Sequence, residues 1–565
     1  MNLKWVMLDD IDNEVVENYA QLLKVPPIIS RILLNRGIDT IERAKLFFRG
    51  KMDNLYDPFL LTDMEKAVDR IIKAIHHKEK ILIYGDYDVD GITSVSMLYL
   101  LLKQLGGDVR FYIPHRVQEG YGISIAGIDE ASKEEIDLII SVDCGITAIE
   151  EVNYARQLNM DVIVSDHHEP GIQLPDAYAV LNPKCKHSNY PFQELAGVGV
   201  AYKLAQALVT ALKLDENLVK NYVDLVAIGS AADIVPLVDE NRIFVKEGLK
   251  KLNETERPGL KALLHVAGLS NKLIGTGQIV FVIAPRINAV GRMGNAERAV
   301  ELLTTQDPER AFEVANILET ENRHRKNIDE ETFMFAQQMI DEKFDLSNCY
   351  GLVLNQEGWH PGVIGIVASR VVEKYYRPTI MISIENNIGK GSARSISGFD
   401  IYLALKQCED LLIGYGGHKY AAGLTIEKEK IDAFRERFNE IACQQLDEEL
   451  LSPKLRIEGK IRLGEINSRL YKFLKFLAPF GPQNMRPVFL SQNLQVVGTP
   501  SIVGNNHLKF KVRQDGMVLD AIGFNLGDLI YRIEPGANNL DITYVIEENT
   551  YLGRTTLQLR VKDLR

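Results

Sequence analysis

Four short apolar runs set the architecture of this chain: ILIY (81–84), VRFYI (109–113), IDLIISV (136–142) and DVIVS (161–165). Between them lie segments of helical period, TSVSMLYLLLKQLG and AIEEVNYARQLN. Runs this short, rich in β-branched residues and separated by helices, are strands buried on both faces of a parallel α/β sheet. A sheet of that kind binds its ligands at the carboxyl ends of its strands. Those ends therefore decide the chemistry.

Acidic and imidazole groups gather there. The first run is followed by Asp86, Asp88 and Asp90 in GDYDVDG, the third by Asp143 in SVDCG, and the fourth by Asp166-His167-His168. Asp233 stands alone in an apolar helical context, GSAADIVPL. If the chain stays extended after Tyr84, alternate aspartates fall on one side. Like charges so close repel unless a cation sits among them. Carboxylates with imidazole and without thiolate suit two divalent ions, Mn²⁺ in preference with Mg²⁺ as the alternative. Such a pair activates water against a phosphate. His76-His77, on a lysine-rich helix, reads as a solvated face, and Cys144 as packing.

The rest of the chain narrows the class. No apolar run approaches the roughly 18 residues of a membrane-spanning helix, and MNLKWVMLDDIDNE turns acidic before a signal-peptide core could form. The five cysteines lie far apart with no CxxC pair, which excludes a zinc ribbon and suits a reducing cytoplasm. Residues 1–80 read as an N-terminal helical segment, 81–295 as the catalytic α/β domain and 296–345 as a charged helical connector that Pro308 should break once. A second α/β domain follows at 346–450, and 451–565 shows the short alternating strands of a β-barrel. The net charge of −12 argues against a nucleic-acid partner overall, yet 451–513 holds eleven Lys/Arg against Glu458 and Glu465, a local +9. In HLKFKVR, Lys509, Lys511 and Arg513 alternate with Leu508, Phe510 and Val512, as on the basic face of a barrel that holds single strands.

DYDVDG, SVDCG, SDHH and AADIVP, in this order, resemble the four motifs of the DHH phosphoesterase superfamily. GKGSARS (389–395) and GGHKYAAG (416–423) are similar to the motifs of its associated substrate-binding domain. With APRINAVGR (284–292) and a closing OB-fold-like domain, the arrangement resembles the superfamily's bacterial 5′→3′ exonucleases specific for single-stranded DNA, which serve DNA repair and recombination. The resemblance implies metal ligands at Asp88, Asp90, Asp143, His167 and Asp233. Asp143 would bridge both ions, Asp88 serve one, and Asp90, His167 and Asp233 the other, with His168 behind them or against the scissile phosphate. Many smaller relatives carry a histidine where this chain has Tyr84, so Asp86 or water would complete one ion's shell.

On the substrate side, glycines at 389, 391, 416 and 417 would let backbone N–H groups approach a phosphate, with Ser392, Arg394 and His418 as further donors. Arg116, Arg286, Arg292 and Arg370 are candidate contacts to the DNA backbone. The resemblance marks Arg116, Ser392 and Arg394 as a pocket for the terminal 5′-phosphate. It also implies a bacterial cytoplasmic enzyme whose partners include single-stranded-DNA-binding protein and a RecQ-type helicase. A nanoRNase, a cyclic-dinucleotide phosphodiesterase or a manganese pyrophosphatase would leave the basic barrel without a purpose. A catalytically dead scaffold would have lost metal ligands, and all five are present.

Overall fold

The structure is a computed structural model that describes residues 3–8, 10–116, 119–551 and 553–565. It divides into two units: residues 55–235 with 243–452, and residues 3–54 with 236–242 and 453–565.

In the first unit, helix α1 (Met64–His77) leads into β1 (Lys80–Gly85), which passes to α2 (Val89–Gln104), β2 (Asp108–Tyr112), β3 (Leu138–Val142), β4 (Asp161–Ser165) and β5 (Ala179–Leu181). The sheet is wholly parallel in the order β2-β1-β3-β4-β5. Ile81, Ile83, Ile140 and Ile163 are fully buried, each side chain contributing about 1.5–3 kcal/mol by leaving water. The three strands that carry acidic or imidazole ends, β1, β3 and β4, are adjacent. Helices α3 (Gly197–Ala211) and α4 (Val223–Ala232) pack against α2, and α5 (Ala284–Met293) follows a π-helical turn over Ile279–Ile283.

The connector is a short helix, Glu297–Thr304, and then α6 (Pro308–Lys343), 36 residues long. Pro308 starts this helix, because a missing N–H costs nothing in the first turn, and Asp307 caps it by accepting from Glu309 N–H at 2.9 Å. The second sheet comes from β6 (Leu352–Glu357), then α7 (Ile364–Tyr375), β7 (Thr379–Glu385), β8 (Ile388–Arg394), β9 (Leu412–His418) and β10 (Ala421–Glu427). Its order is β9-β10-β8-β7-β6, with only β6 and β7 parallel.

In the second unit, β11 (Phe489–Val503), β12 (His507–Gln514), β13 (Met517–Gly523), β14 (Asn538–Tyr551) and β15 (Arg554–Leu564) close a barrel. β11 pairs with both β12 and β14, and β15 joins β13 to β14. The N-terminal helices Asn13–Leu23 and Pro27–Asn35 pack Tyr19, Ile29, Ile32 and Leu33 into the same core as Leu508, Phe510 and Val512. The strand Lys4–Met7 pairs in parallel with Lys454–Ile457. The 1–80 stretch, read from sequence as one helical segment, is thus shared: 3–54 go with the barrel and α1 with the parallel sheet. The apolar faces of its helices decide this, since each must be covered by the nearest complementary core. Met1, Asn2 and Asp9 of that stretch lie outside the described residues.

Candidate active site

The acidic motif after β1 is not extended. The chain turns at Asp86, and Asp88 is the N-cap of α2, its Oδ1 accepting from the N–H groups of Asp90 at 2.9 Å and Gly91 at 3.2 Å. Asp90 therefore lies in the first helical turn. Its carboxylate accepts from Gly197 N–H at 2.6 Å and Val198 N–H at 2.9 Å, at the positive end of α3. A Cβ on Gly91 would lie 2.5 Å from the Asp86 carbonyl oxygen, so only glycine lets the helix begin this close to the strand end. Convergence of the aspartates comes from a strand-to-helix turn, not from alternation along a strand.

Asp143 leaves β3 in the left-handed region, φ 60°, which turns the chain sharply at the strand end. His167 follows β4, and Asp233 follows the last turn of α4. His167 Nε2 lies 3.2 Å from Asp143 Oδ1, 3.6 Å from Asp233 Oδ2 and 3.9 Å from Asp90 Oδ2. Two groups share this space: Asp86, Asp88 and Asp143 on one side, Asp90, His167 and Asp233 on the other. Asp143 touches both, since it also groups with His167 and His168.

The electrostatics show what is needed there. Burial, and then the charge of Asp88, push Asp90 up to about 7 despite its two N–H donors. Burial and the neighbouring aspartates raise Asp86, Asp143 and Asp233 well above the usual carboxylate range. Burial, followed by His168, takes His167 down to about 3, which leaves a neutral imidazole. Asp86 Oδ1, Asp143 Oδ1 and His167 Nε2 are buried without a hydrogen-bond partner. Orphaned oxygen and nitrogen acceptors crowded with mutually repelling carboxylates fit divalent cations.

Asp166 has a different task. Its Oδ1 accepts from His168 Nδ1 at 2.7 Å and its Oδ2 from Ile146 N–H at 2.9 Å. Burial alone would raise it, but the bond and charge of His168 hold it at about 2. Burial in turn would lower His168, and Asp166 outweighs that, so the imidazolium is favoured. Tyr121 hydroxyl lies 3.2 Å from His168 Nε2 and donates to the Asp143 carbonyl at 3.1 Å. Tyr84, at the position of the smaller relatives' histidine, is fully buried with its hydroxyl accepting from Ser124 N–H at 3.1 Å. It belongs to the core.

Beside this cluster opens a cleft of about 920 Å³, lined by Tyr87, Arg116, Tyr121, Ser392 and Arg394 among others. Arg116 stacks on Tyr87 at 4.8 Å, and Arg394 donates to Ser392 Oγ at 3.2 Å. Arg292 lies behind them and donates to the Gly362 carbonyl at 3.1 Å. Among the described residues none of these three arginines is paired with a carboxylate. Burial and then the charges of Arg116 and Arg394 pull Arg292 down to about 9, and burial followed by Arg116 lowers Arg394. Guanidinium groups that lower one another's affinity for protons and lack a carboxylate pair suit an anionic ligand.

Other expectations are corrected. Arg286 is buried, with Nε 2.6 Å from Glu319 and Nη1 donating to the Val282 carbonyl at 2.6 Å. Arg370 bridges Asp329 at 3.2 Å and Glu330 at 2.9 Å and lies 3.9 Å over the Phe333 ring. Both guanidinium groups are paired with carboxylates of α6. The glycine motifs are strands: a Cβ on Gly389 or Gly391 would meet Ile382 or Leu424 at 2.6–2.7 Å, and Gly391, Gly416 and Gly417 line the cleft. His418 is exposed at the end of β9, its Nδ1 accepting from Tyr420 N–H at 3.4 Å, and is outside the cleft lining. Lys509, Lys511 and Arg513 are exposed on one face of β12, with Lys511 3.4 Å from Asp520. Sequence reasoning missed Asn288, whose Oδ1 accepts from Val89 N–H at 3.1 Å and ties α5 to the acidic turn. Its signal was its place in APRINAVGR.

Models of three domain families match: the DHH family N-terminal domain over residues 80–230, the DHHA1 domain over 347–443 and the RecJ OB domain over 457–563. The single-stranded-DNA-specific exonuclease RecJ of Bacillus subtilis is 41% identical over 560 residues, 98% of this chain and 70% of that protein. The chain belongs to the RecJ family. Crystal structures of a RecJ from Thermus thermophilus match the whole chain and just under four fifths of that one. In complex with Mn²⁺ the TM-score is 0.86 at 29% identity over 79% of that chain, and with Mg²⁺ it is 0.79 at 27% over 78%. The order found here, parallel α/β domain, long helix, second sheet, closed barrel, is that of the RecJ family.

Proposed function

We propose that this chain is a metal-dependent hydrolase that removes nucleotides one at a time from the 5′ end of single-stranded DNA. The observation that carries the reading is the juxtaposition of an acidic, cation-demanding cluster with an anion-demanding arginine cleft in one unit. Asp88, Asp90, Asp143, His167 and Asp233 would hold two divalent ions, Mn²⁺ or Mg²⁺, and Asp86 would add to the Asp88 side. Such ions, when bound, supply Lewis acidity and lower the pKa of water.

The chain's own residues do the rest. Arg116, Ser392 and Arg394 grip the terminal 5′-phosphate, and Arg292 behind them adds charge. His168, kept cationic by Asp166, offers an N–H to a non-bridging oxygen of the scissile phosphate as charge builds there. Lys509, Lys511 and Arg513 hold the departing strand by its backbone. Association with single-stranded-DNA-binding protein and a RecQ-type helicase, in a bacterial cytoplasm, belongs to the same reading.

Long single strands of DNA labelled at either end test it. With Mn²⁺ or Mg²⁺, 5′ label should appear as mononucleotide from the earliest times, while 3′ label stays in long, shortening fragments. The same strands in RNA should be poorer substrates. Cleavage confined to dinucleotides or cyclic dinucleotides would replace this reading with that of a small-substrate phosphodiesterase.

A further inference from the structure

The two arginines that do not reach the cleft point to a further role for the long helix. α6 runs along both halves of the first unit and is fastened to each by a buried or half-buried ion pair. Glu319 holds Arg286 of α5 at 2.6 Å, with side chains 12% and 9% exposed. Two turns and more along, Asp329 and Glu330 hold Arg370 of α7 at 3.2 and 2.9 Å. Asn322 and Arg325 lie buried between these fastenings, joined by a hydrogen bond of 3.2 Å.

Each fastened helix bears directly on one half of the site. α5 carries Asn288, bonded to Val89 N–H, and Gly291, where a Cβ would lie 2.5 Å from the Tyr87 carbonyl. It thus sets the acidic turn. α7 begins beside the terminal-phosphate pocket: a Cβ on Gly365 would lie 2.8 Å from Ser392 Oγ and 3.0 Å from an Arg394 guanidinium nitrogen. Both contacts are too tight to slide. A helix fastened to α5 at Glu319 and to α7 at Asp329 and Glu330 fixes the gap between them.

We propose that α6 is a spacer that sets the distance from the terminal-phosphate pocket to the acidic cluster, and that Glu319, Asp329 and Arg370 are positioning residues for the cut. This rests on the exonuclease reading above. A strand anchored by its 5′-phosphate meets the cluster with its next phosphate only if that gap is one nucleotide long. A strand with a 5′-hydroxyl end is not anchored and does not depend on the gap.

Arg370→Met and Glu319→Gln test the proposal with 5′-phosphorylated and 5′-hydroxyl DNA strands of one sequence. For phosphorylated ends kcat should fall about 10- to 100-fold, the scale of a displacement near 1 Å, while KM stays within about twofold because the pocket is intact. For hydroxyl ends kcat of Arg370→Met should be unchanged and that of Glu319→Gln should fall by a smaller factor than for phosphorylated ends, and in Arg370→Met the Mn²⁺-induced rise in Tm should match wild type. A purely structural role would lower kcat on both ends by the same factor, and that result overturns the proposal. If either variant fails to fold, the exchanged pair Arg286→Glu with Glu319→Arg should restore the phosphorylated-end kcat lost in Glu319→Arg alone; no restoration also overturns it. Should wild type release no 5′ label at all, the exonuclease reading fails first.

Discussion

At the scale of the residue, the two-ion reading turns on Asp143, which among the described residues groups with Asp86 and Asp88 and also with His167. Asp143→Asn should reduce hydrolysis to below about 1% of wild type, since both ions lose a shared ligand. Binding of single strands should persist, as the arginine cleft is untouched; steady-state rates and filter binding read the two separately. Arg394→Ala should act in the opposite sense, raising KM for 5′-phosphorylated ends and erasing their advantage over hydroxyl ends. A mutant slower on both ends that still prefers the phosphate would move the pocket elsewhere. The family resemblance implies Asp88, Asp90, Asp143, His167 and Asp233 as ligands, while the residues themselves show carboxylates and imidazoles gathered after apolar runs. Arg286 and Arg370 were not, because an arginine looks the same in sequence whether a carboxylate or a phosphate faces it.

At the scale of the element, the entry to α2 and the face of β12 make separate predictions. Gly91→Ala would drive a methyl group to 2.5 Å from the Asp86 carbonyl, and should cost about 1–3 kcal/mol of stability, as overpacking does, with weakened Mn²⁺ binding. Urea melts with and without Mn²⁺ check both. Replacing Lys509, Lys511 and Arg513 by Ser should leave cleavage of very short oligonucleotides nearly unchanged. The salt slope of long-strand binding should shrink by up to about 2, at roughly 0.7 per phosphate. An unchanged slope would make this face a merely solvated one. Period-two alternation made that strand readable. The glycine-rich strands β8 to β10 carry little periodic side-chain signal, and their neighbours Ile382 and Leu424 reveal how Gly389 and Gly391 pack.

At the scale of the whole molecule, metal binding and stability are one equilibrium. Asp90 is at about 7 in the metal-free fold against an ordinary 3.8, so between those values the folded chain holds a proton that the unfolded chain has released. Stability of the metal-free protein should therefore fall as pH rises from about 4 to about 7, by at most roughly 1.4 kcal/mol per unit for each such group. The penalty is absent below that window and complete above it. Asp90→Asn should consequently melt higher than wild type near neutral to alkaline pH in EDTA, and lose the stabilisation that Mn²⁺ gives wild type. Domain order was legible from the changes in rhythm along the chain. The assignment of residues 3–54 to the barrel was not, because pairing of Lys4–Met7 with Lys454–Ile457 spans nearly the whole sequence.

The central claim, that the ends of β1, β3 and β4 with Asp233 form one two-ion centre, is open to direct observation. Crystals grown in Mn²⁺ and measured at the manganese absorption edge should show two anomalous peaks about 3.5–4 Å apart. Asp143 should touch both, Asp88 one, and Asp90, His167 and Asp233 the other. A single peak, or peaks away from these side chains, would contradict the account.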